Sequence, residues 1–408
     1  MDPIPLTDQD RAILELESPT IAGHTAKVIW VDGPQPTLGE LRARIAAGLA
    51  REPALTACLG GTEEDPAWGL DPQFEIAEHV ADSGLSGLDE DGVRALVLEL
   101  FKRRLDRARP LWRIDLAGLA GGGWVLVWRL HHALADGFTA MRFARELLWD
   151  HTARPTDPPG PPRPGDKRHW AHPGRFVARE LAPTVRRSPF DGATGHQRAL
   201  AWSVVPLEPL HRIGHRLCGA TVNDLLLTLV AGGMRRWLLQ QQRPLEKLRI
   251  RVPVSLHAAA ADAANQDSFF LVPVNTAEAD PVARLREVQK LEMARKLGRD
   301  AERLGWLTQR LRRLSPRLAA GMDDDPRAFA VAVSNVRGPA EEVRLLGARV
   351  RSLLTVAELG QRHGLRVAAA SFNGTLSISF LAEPEIVPEV DQFAAGVDAE
   401  AQQLIAAG

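Results

Sequence analysis

A proline-rich segment divides the 408-residue chain into a front part and a rear part. The stretch RPTDPPGPPRPGD, at 154–166, holds six prolines in thirteen residues. Proline fixes φ and has no backbone N–H, so such a run favours an extended linker over a helix or a central strand. We therefore predict an N-terminal half over 1–153, a crossover linker over 154–200 and a C-terminal half over 201–408.

The front half alternates strand-like and helix-like segments. Short apolar runs over 24–33 and 124–130 predict strands, and apolar residues at helical spacing over 37–53 and 138–150 predict helices. The alternation favours a sheet that is covered by helices.

The rear half begins with a long apolar helix over 221–240, and strand-like segments dominate the remainder. These segments lie at 248–256, 269–276, 329–336, 365–372 and 375–382. Asn373–Gly374 separates the last two and is typical of a two-residue hairpin. Hairpins beside helices predict an α/β fold with mixed sheets rather than purely parallel ones.

Composition and charge exclude several classes of protein. The formal net charge of −1 disfavours a dedicated nucleic-acid binder. Two cysteines, Cys58 and Cys218, fit a reducing compartment and suggest no disulfide framework. The first residues lack the apolar core of a signal peptide, and no run of 18 apolar residues occurs. We therefore expect a cytoplasmic protein, with contact to a membrane surface left open.

The stretch HHALADG, at 131–137, is the strongest candidate for chemistry. It falls where the predicted strand ends and the predicted helix begins, so a histidine here emerges from a rigid element. His132 could act as a general base near neutral pH, but paired histidines can also be half of a metal site or simply buried beside a turn. Asp136 is expected to anchor the turn or to pair with an arginine from elsewhere. Gly137 is expected to permit a backbone angle that other residues resist.

Two other kinds of site are disfavoured. His211, His215 and Cys218 have helical spacing, but the neighbouring Arg212 and Arg216 favour an ordinary basic helix face over a zinc site. No G-x-S-x-G occurs, which argues against a serine hydrolase. We therefore expect no metal.

The motif H-H-x-x-x-D-G resembles the signature of the acyltransferases related to chloramphenicol acetyltransferase and to peptide-synthetase condensation domains. Other stretches resemble one branch, the bacterial wax ester synthase/diacylglycerol acyltransferase family, in the right order and over nearly the whole chain. They are PLTDQDRAIL, DPAWGLDPQFEIAEHV, Pro110–Leu111–Trp112, Asn223–Asp224, RVPVSL with the later Asn265, SNVRGP and SFNGTLSISFLAEP.

Three positions depart from the family pattern. Arg337 stands where a proline is common, Phe372 stands where a tyrosine is common, and His24 is the candidate to replace the histidine of a missing P-M-H. We expect these changes to bear on substrate range more than on chemistry.

The resemblance implies two chloramphenicol acetyltransferase-like halves, each a mixed sheet with helices, and a substrate tunnel between them. It implies transfer of a fatty acyl group from acyl-CoA to diacylglycerol or a long-chain alcohol, which gives triacylglycerol or wax ester. His132 would be the general base, and His131 would orient the loop or line the tunnel. No covalent intermediate is expected, and no cofactor beyond acyl-CoA as co-substrate.

The same resemblance points to three polar residues that could line the site or stabilise an oxyanion. They are Asn223, Asp224 and, with weaker support, Asn335. A helix N-cap is an alternative role for Asn223, because either Asn223 or Thr221 is placed to cap the first turn of the predicted helix.

A basic segment at 284–318 bears on the acceptor. It holds eleven Lys and Arg against four Asp and Glu, and Leu285, Val288, Leu291 and Leu297 give it an apolar stripe. Such a helix could contact anionic membrane or a lipid droplet, or it could be a solvated helix packed on its domain.

Two other functions compete with lipid synthesis. One is a condensation-like enzyme that acts on a natural-product hydroxyl or amine, and the other is a catalytically silent lipid-binding relative. The intact H-H-x-x-x-D-G argues against the silent relative.

Overall fold

The computed structural model describes residues 4–62, 66–150, 187–255, 267–297 and 327–407. Most of the predicted linker, Asn265 and residues 298–318 of the basic segment lie outside these ranges. Contacts divide the chain into two compact units. The first comprises Met1–Thr156, Val336–Glu358 and Ala370–Ser377, and the second comprises Asp157–Asn335, Leu359–Ala369 and Ile378–Gly408.

A six-stranded sheet forms the centre of the first unit. Its strands are β2 (His24–Val31), β5 (Val80–Asp82), β6 (Trp112–Gly118), β7 (Trp124–His131), β12 (Arg344–Leu345) and β13 (Ala348–Ala357). Their order is β12-β13-β2-β7-β6-β5. Only β5 and β6 pair in parallel, and the other neighbours are antiparallel, so the sheet is mixed as predicted.

Strand β13 belongs to the sheet of the first unit, although the sequence-based division places its residues in the half 201–408. This strand comes late in the chain, yet it pairs with β2 from Val350 opposite Val31 to Ala357 opposite Thr25. Residues 336–358 and 370–377 therefore belong to the first unit. The half boundaries drawn from the sequence stay a prediction.

Helices and a small second sheet surround this central sheet. The helices are α1 (Asp8–Glu15), α2 (Leu38–Leu49), α3 (Ile76–His79), α4 (Glu90–Phe101) and α5 (Gly137–Leu147), with a 3-10 turn at Pro53–Thr56. The small sheet has the order β1-β4-β3 and consists of β1 (Ile4–Pro5), β3 (Ala57–Gly61) and β4 (Pro66–Leu70). Helix α2 begins where Thr37 accepts a hydrogen bond from the N–H of Glu40 at 3.2 Å.

Strand β7 is buried on both faces. Because successive side chains of a strand point to opposite faces, the position of a residue in β7 decides which face it joins. Every second residue packs into the core with α2 and α5: Trp124, Leu126, Trp128 and Leu130. On the opposite face, Arg129 donates hydrogen bonds to the carbonyls of Leu100 at 2.9 Å and Arg103 at 2.6 Å, at the end of α4. His131 continues this second face.

The other six-stranded sheet is built from strands of the rear part of the chain. Its strands are β8 (Ala199–Pro206), β9 (Lys247–Ser255), β10 (Asp267–Asn275), β11 (Val331–Arg337), β14 (Leu365–Phe372) and β15 (Thr375–Ala382), in the order β10-β9-β11-β14-β15-β8. Strand β9 pairs antiparallel with β10 and parallel with β11, so this sheet is also mixed. The predicted hairpin is confirmed, with Asn373 and Gly374 at φ values of +43° and +78°.

Four helices of the second unit fall within the described ranges. They are α6 (Leu207–Cys218), α7 (Val222–Gln240), α8 (Pro281–Leu297) and α9 (Asp391–Ala406). Helix α7 is buried along most of its length. Among the described residues no single helix is both long and apolar enough to cross a membrane, and α6 and α7 pass that test only as a pair bent by 100°.

Candidate active site

The H-H-x-x-x-D-G motif occupies the junction between β7 and α5, as the sequence predicts. His131 is the last residue of β7, His132 begins the turn, Asp136 is the N-cap of α5 and Gly137 is its first residue. His132 is partly exposed, whereas His131 is buried. The two histidines therefore face different surroundings although they are adjacent in sequence.

Both ring nitrogens of His131 are engaged. Its Nε2 lies 2.9 Å from Oε1 of Glu17, and its Nδ1 accepts a hydrogen bond from the N–H of Ala133 at 3.1 Å. Because a backbone N–H can only donate, Nδ1 is the acceptor and Nε2 carries the proton. This arrangement fits the predicted role of orienting the loop.

Glu17, in the connection between α1 and β2, is the residue that sequence analysis missed. Its side chain is 10% exposed and forms ion pairs with Arg104 at 2.8 Å and Arg107 at 2.9 Å. Burial disfavours the ionised carboxylate, but hydrogen bonds from His131 and Arg107 outweigh that effect and lower the pKa of Glu17. No local pattern marks this glutamate, because its histidine partner lies 114 residues away.

Gly23 holds the backbone of the motif against β2. Its carbonyl accepts a hydrogen bond from the N–H of His132 at 2.9 Å. Its φ is +73°, and a Cβ at this position would lie 2.5 Å from Nε2 of His131. Both the backbone conformation and the close approach therefore require glycine.

Asp136 is buried and caps α5, since its Oδ1 accepts a hydrogen bond from the N–H of Thr139 at 2.7 Å. The expected role as an anchor of the turn agrees with this geometry. The negative charge of Asp136 also raises the pKa of Lys27 on β2, against the larger effect of burial.

Lys27 is a buried cation. It lies on the same face of the sheet as Trp128, its partner in the register of β2 and β7. Its Nζ donates to the hydroxyl of Thr355 on β13 at 2.6 Å. Burial lowers the pKa of Lys27 to about 8, although the charge of Asp136 acts in the opposite direction. Lys27 thus joins β2 to β13 by a hydrogen bond between side chains.

His24 lies opposite His131 in the register of β2 and β7. It is fully buried, its ring meets Phe101 edge-on at 4.8 Å, and neither ring nitrogen has a hydrogen-bond partner among the described residues. Burial, with a smaller effect of the Arg129 charge, lowers the pKa of His24 well below its ordinary value. His24 is therefore a neutral core histidine.

Gly137 is required by packing, and the expectation of an unusual backbone angle is wrong. The residue is helical and has no positive φ, but a Cβ there would lie 2.6 Å from Cγ2 of Val336. Asn335 precedes Val336 and has an exposed side chain. Of the S-N-V segment, only the Val336 side chain lies near Gly137.

Asn223 and Asp224 lie in the first turn of α7, and neither is its N-cap. Thr221 is the cap, and the carboxylate of Asp224 accepts hydrogen bonds from its N–H and its hydroxyl, each at 2.7 Å. Of the two residues expected as the cap, Thr221 is confirmed and Asn223 is not. The Asn223 amide instead donates to the buried carboxylate of Glu292 on α8.

The described residues contain no group of three or more His, Cys, Asp and Glu side chains arranged to hold a metal ion. His211 and His215 are both exposed on α6 with their ring centroids 6.3 Å apart. Arg212 between them pairs with Glu208 at 2.7 Å. This is the basic helix face that the neighbouring arginines predict.

Solved structures share this fold. The wax ester synthase/diacylglycerol acyltransferase of Marinobacter aquaeolei VT8 matches with a TM-score of 0.73 at 21% identity, over 98% of each chain. The starter condensation domain of rhizomide synthetase, solved with C8-CoA and Leu-SNAC, matches with a TM-score of 0.65 at 14% identity, over 99% of this chain and 93% of that one. The chain therefore has the fold that this acyltransferase and the condensation domain share.

Sequence comparison narrows the proteins with this fold to one family. Residues 6–176 match the wax ester synthase/diacylglycerol acyltransferase catalytic domain, and residues 263–404 match the C-terminal domain of the same family. The chain is also 27% identical over 380 residues, 84% of its length and 81% of the relative's, to a probable diacylglycerol O-acyltransferase of Mycobacterium tuberculosis. The chain belongs to the wax ester synthase/diacylglycerol acyltransferase family, and it is an O-acyltransferase of the kind that forms triacylglycerol or wax ester.

Proposed function

We propose that the chain transfers a fatty acyl group from acyl-CoA to the hydroxyl of diacylglycerol or a long-chain alcohol, with His132 as the general base. The observation that carries this assignment is the engagement of both ring nitrogens of His131, by Glu17 and by the N–H of Ala133. His131 has no ring nitrogen left to take a proton from a substrate. His132 is the partly exposed histidine of the pair, at the end of a rigid strand.

The chemistry needs one proton acceptor that later becomes a donor. His132 takes the proton of the alcohol as its oxygen attacks the thioester carbonyl, and an oxyanion forms. Collapse of this intermediate breaks the carbon–sulfur bond. The departing thiolate receives the proton from His132, so the products are the ester and free CoA. No covalent acyl-enzyme forms in this scheme, and acyl-CoA is the co-substrate with no further cofactor.

Two relatives support the choice of substrates. The condensation domain that shares the fold was solved with C8-CoA, and curated relatives carry the name diacylglycerol O-acyltransferase. The family assignment favours storage-lipid synthesis over acylation of a natural product. The substrate tunnel between the two halves stays a prediction of the family resemblance.

The oxyanion requires a donor that is positioned before reaction. Asn335, which the family resemblance implies, has an exposed side chain and stays a candidate. The Asn223 amide is committed to Glu292, and Asp224 to the cap of α7, so both are weaker candidates.

Contact with anionic lipid depends on residues 298–318 more than on the start of the basic segment. Leu285 and Val288, which begin its apolar stripe, are buried. Arg284 is also buried, in an ion pair with Glu400. This part of the segment is therefore a helix packed on its unit, and we propose peripheral contact only for residues 298–318, where six arginines accompany two acidic residues.

Purified protein tests the proposed reaction directly. Incubation with palmitoyl-CoA and either dioleoylglycerol or hexadecanol should release CoA and give a matching amount of triacylglycerol or wax ester. Omission of the alcohol should abolish ester and leave only slow thioester hydrolysis. Thioester hydrolysis that no lipid alcohol accelerates would contradict the proposal.

A further inference from the structure

The loop of residues 17–23 contacts both histidines of the motif. Glu17 at its start accepts a hydrogen bond from Nε2 of His131 at 2.9 Å, and the Gly23 carbonyl at its end accepts one from the N–H of His132 at 2.9 Å. We call this segment the 17–23 loop. It supports the motif from the face of the sheet that carries α4.

The carboxylate of Glu17 selects one tautomer of His131. An ionised carboxylate can only accept hydrogen bonds, so the proton must sit on Nε2. Nδ1 is then free to accept from the N–H of Ala133 at 3.1 Å, in the turn that directly follows His132. In the other tautomer, Nδ1–H would face the Ala133 N–H, and two donors would oppose each other.

Two arginines hold Glu17 in this position. Arg104 also donates to the carbonyl of Ile21 at 3.0 Å, and Arg107 also donates to the carbonyl of Leu14 at 2.9 Å. The His131 side chain is 2% exposed and that of Glu17 is 10% exposed, so water competes little for their hydrogen bond. The arginines thus fix the carboxylate relative to the backbone on both sides of it.

We propose that Glu17 is a positioning residue for His132, which it places through the tautomer of His131 and the hydrogen bond to Ala133. The role resembles that of the carboxylate that orients the histidine of a catalytic triad, but it acts one residue away from the base. The inference rests on the proposed function of His132 as the general base.

Three variants separate positioning from simple ion pairing. Glu17→Ala removes the acceptor and should lower kcat roughly 10- to 100-fold with KM changed by less than about threefold, since a displaced base slows chemistry more than binding. Glu17→Gln keeps an oxygen that can accept from Nε2–H and should stay within about fivefold of wild type. Glu99→Gln is the matched control, because exposed Glu99 also pairs with two cations, Lys102 at 3.6 Å and Arg103 at 3.3 Å, and contacts no histidine in these pairs.

The tautomer is a second readout that ion pairing alone would not move. Nitrogen-15 NMR of histidine-labelled protein, with His131 assigned by His131→Gln, should show the Nε2–H form in wild type, Glu17→Gln and Glu99→Gln. Glu17→Ala should lower the share of this form, because only the N–H of Ala133 then favours it. An unchanged tautomer in Glu17→Ala, or a Glu17→Gln variant as inactive as Glu17→Ala, would overturn the proposal. If Glu17→Ala does not fold, Glu17→Gln decides: a kcat more than about fivefold below wild type, or loss of the Nε2–H form, would overturn the proposal.

His132→Ala runs in parallel and keeps the two proposals distinguishable. If His132→Ala stays active, the proposed base is wrong, while the NMR readout still decides whether Glu17 sets the tautomer of His131. If His132→Ala is inactive and Glu17→Ala keeps wild-type kcat, only the positioning role fails.

Discussion

The ammonium group of Lys27 lies 2.6 Å from the hydroxyl of Thr355, with both residues buried in the first sheet. A charge in such a place is costly for the folded state, and the pKa of about 8 for Lys27 expresses that cost. The unfolded chain retains the ordinary value of 10.5.

This difference predicts how stability depends on pH. Between about pH 8 and 10.5 the unfolded chain binds more protons at Lys27 than the folded protein does, so stability should rise with pH in that window. Lys27→Met removes the titrating group. The free energy of unfolding of wild type relative to Lys27→Met should therefore increase by up to about 3 kcal/mol across the window. Urea unfolding of both proteins at pH 7.5 and pH 10 measures it, and a constant difference would refute the buried charge.

Asp136 should act on stability as well as on turnover. Asp136→Ala removes the N-cap of α5 and should cost about 0.5–2 kcal/mol of unfolding free energy, together with activity. Asp136→Ser retains a capping oxygen and should recover most of the stability. Thermal melts and turnover measured together decide this, since lost turnover at an unchanged melting temperature would make Asp136 a direct participant in catalysis.

Gly137 should tolerate no side chain while Val336 is present. Gly137→Ala places a methyl group 2.6 Å from Cγ2 of Val336 and should destabilise the protein by about 1–3 kcal/mol. Gly39→Ala is the matched control near the start of α2, where the nearest atom to a new Cβ would be 3.9 Å away. The double variant Gly137→Ala, Val336→Ala should recover part of the loss. Equal melting temperatures for Gly137→Ala and Gly39→Ala would show that the packing around Gly137 is looser than this distance indicates.

The burial of His24 should make the folded protein less stable at acid pH. Because its pKa is held well below the ordinary 6.5, the unfolded chain gains a proton at His24 that the folded protein does not, so stability should fall as pH drops below about 6.5. His24→Leu should reduce the fall between pH 7 and 5 relative to wild type. Melting curves at both pH values test this, and equal losses in the two proteins would contradict the assignment of His24 as a neutral buried residue.

Local features of the fold were predictable from sequence because they are encoded by nearby residues. The strand–helix junction around His131 and the Asn373–Gly374 hairpin both follow from periodicity and turn chemistry. Pairings between distant segments were not predictable. Nothing near Ala348–Ala357 indicates that this strand joins the first sheet, and nothing near Glu17 indicates a histidine partner 114 residues away.

The different roles of His131 and His132 also could not be predicted from the sequence. Two adjacent histidines look alike in sequence, and only the hydrogen bonds of His131 show that it is fixed in place while His132 remains partly exposed. Lys27 likewise looks like an ordinary polar residue of a half-exposed strand, but it is buried, donates to Thr355 and lies in the field of the Asp136 charge.

The most direct test of the central claim compares His132→Ala with His131→Gln in steady-state transfer from palmitoyl-CoA to dioleoylglycerol. His132→Ala should keep the wild-type melting temperature and lose roughly 10²- to 10⁴-fold in kcat/KM, because only the proton acceptor is removed. His131→Gln should lose stability together with a smaller part of the activity, since it disturbs the buried contacts with Glu17 and Ala133. A His132→Ala enzyme that retains more than about a tenth of wild-type kcat/KM would contradict the assignment of His132 as the general base.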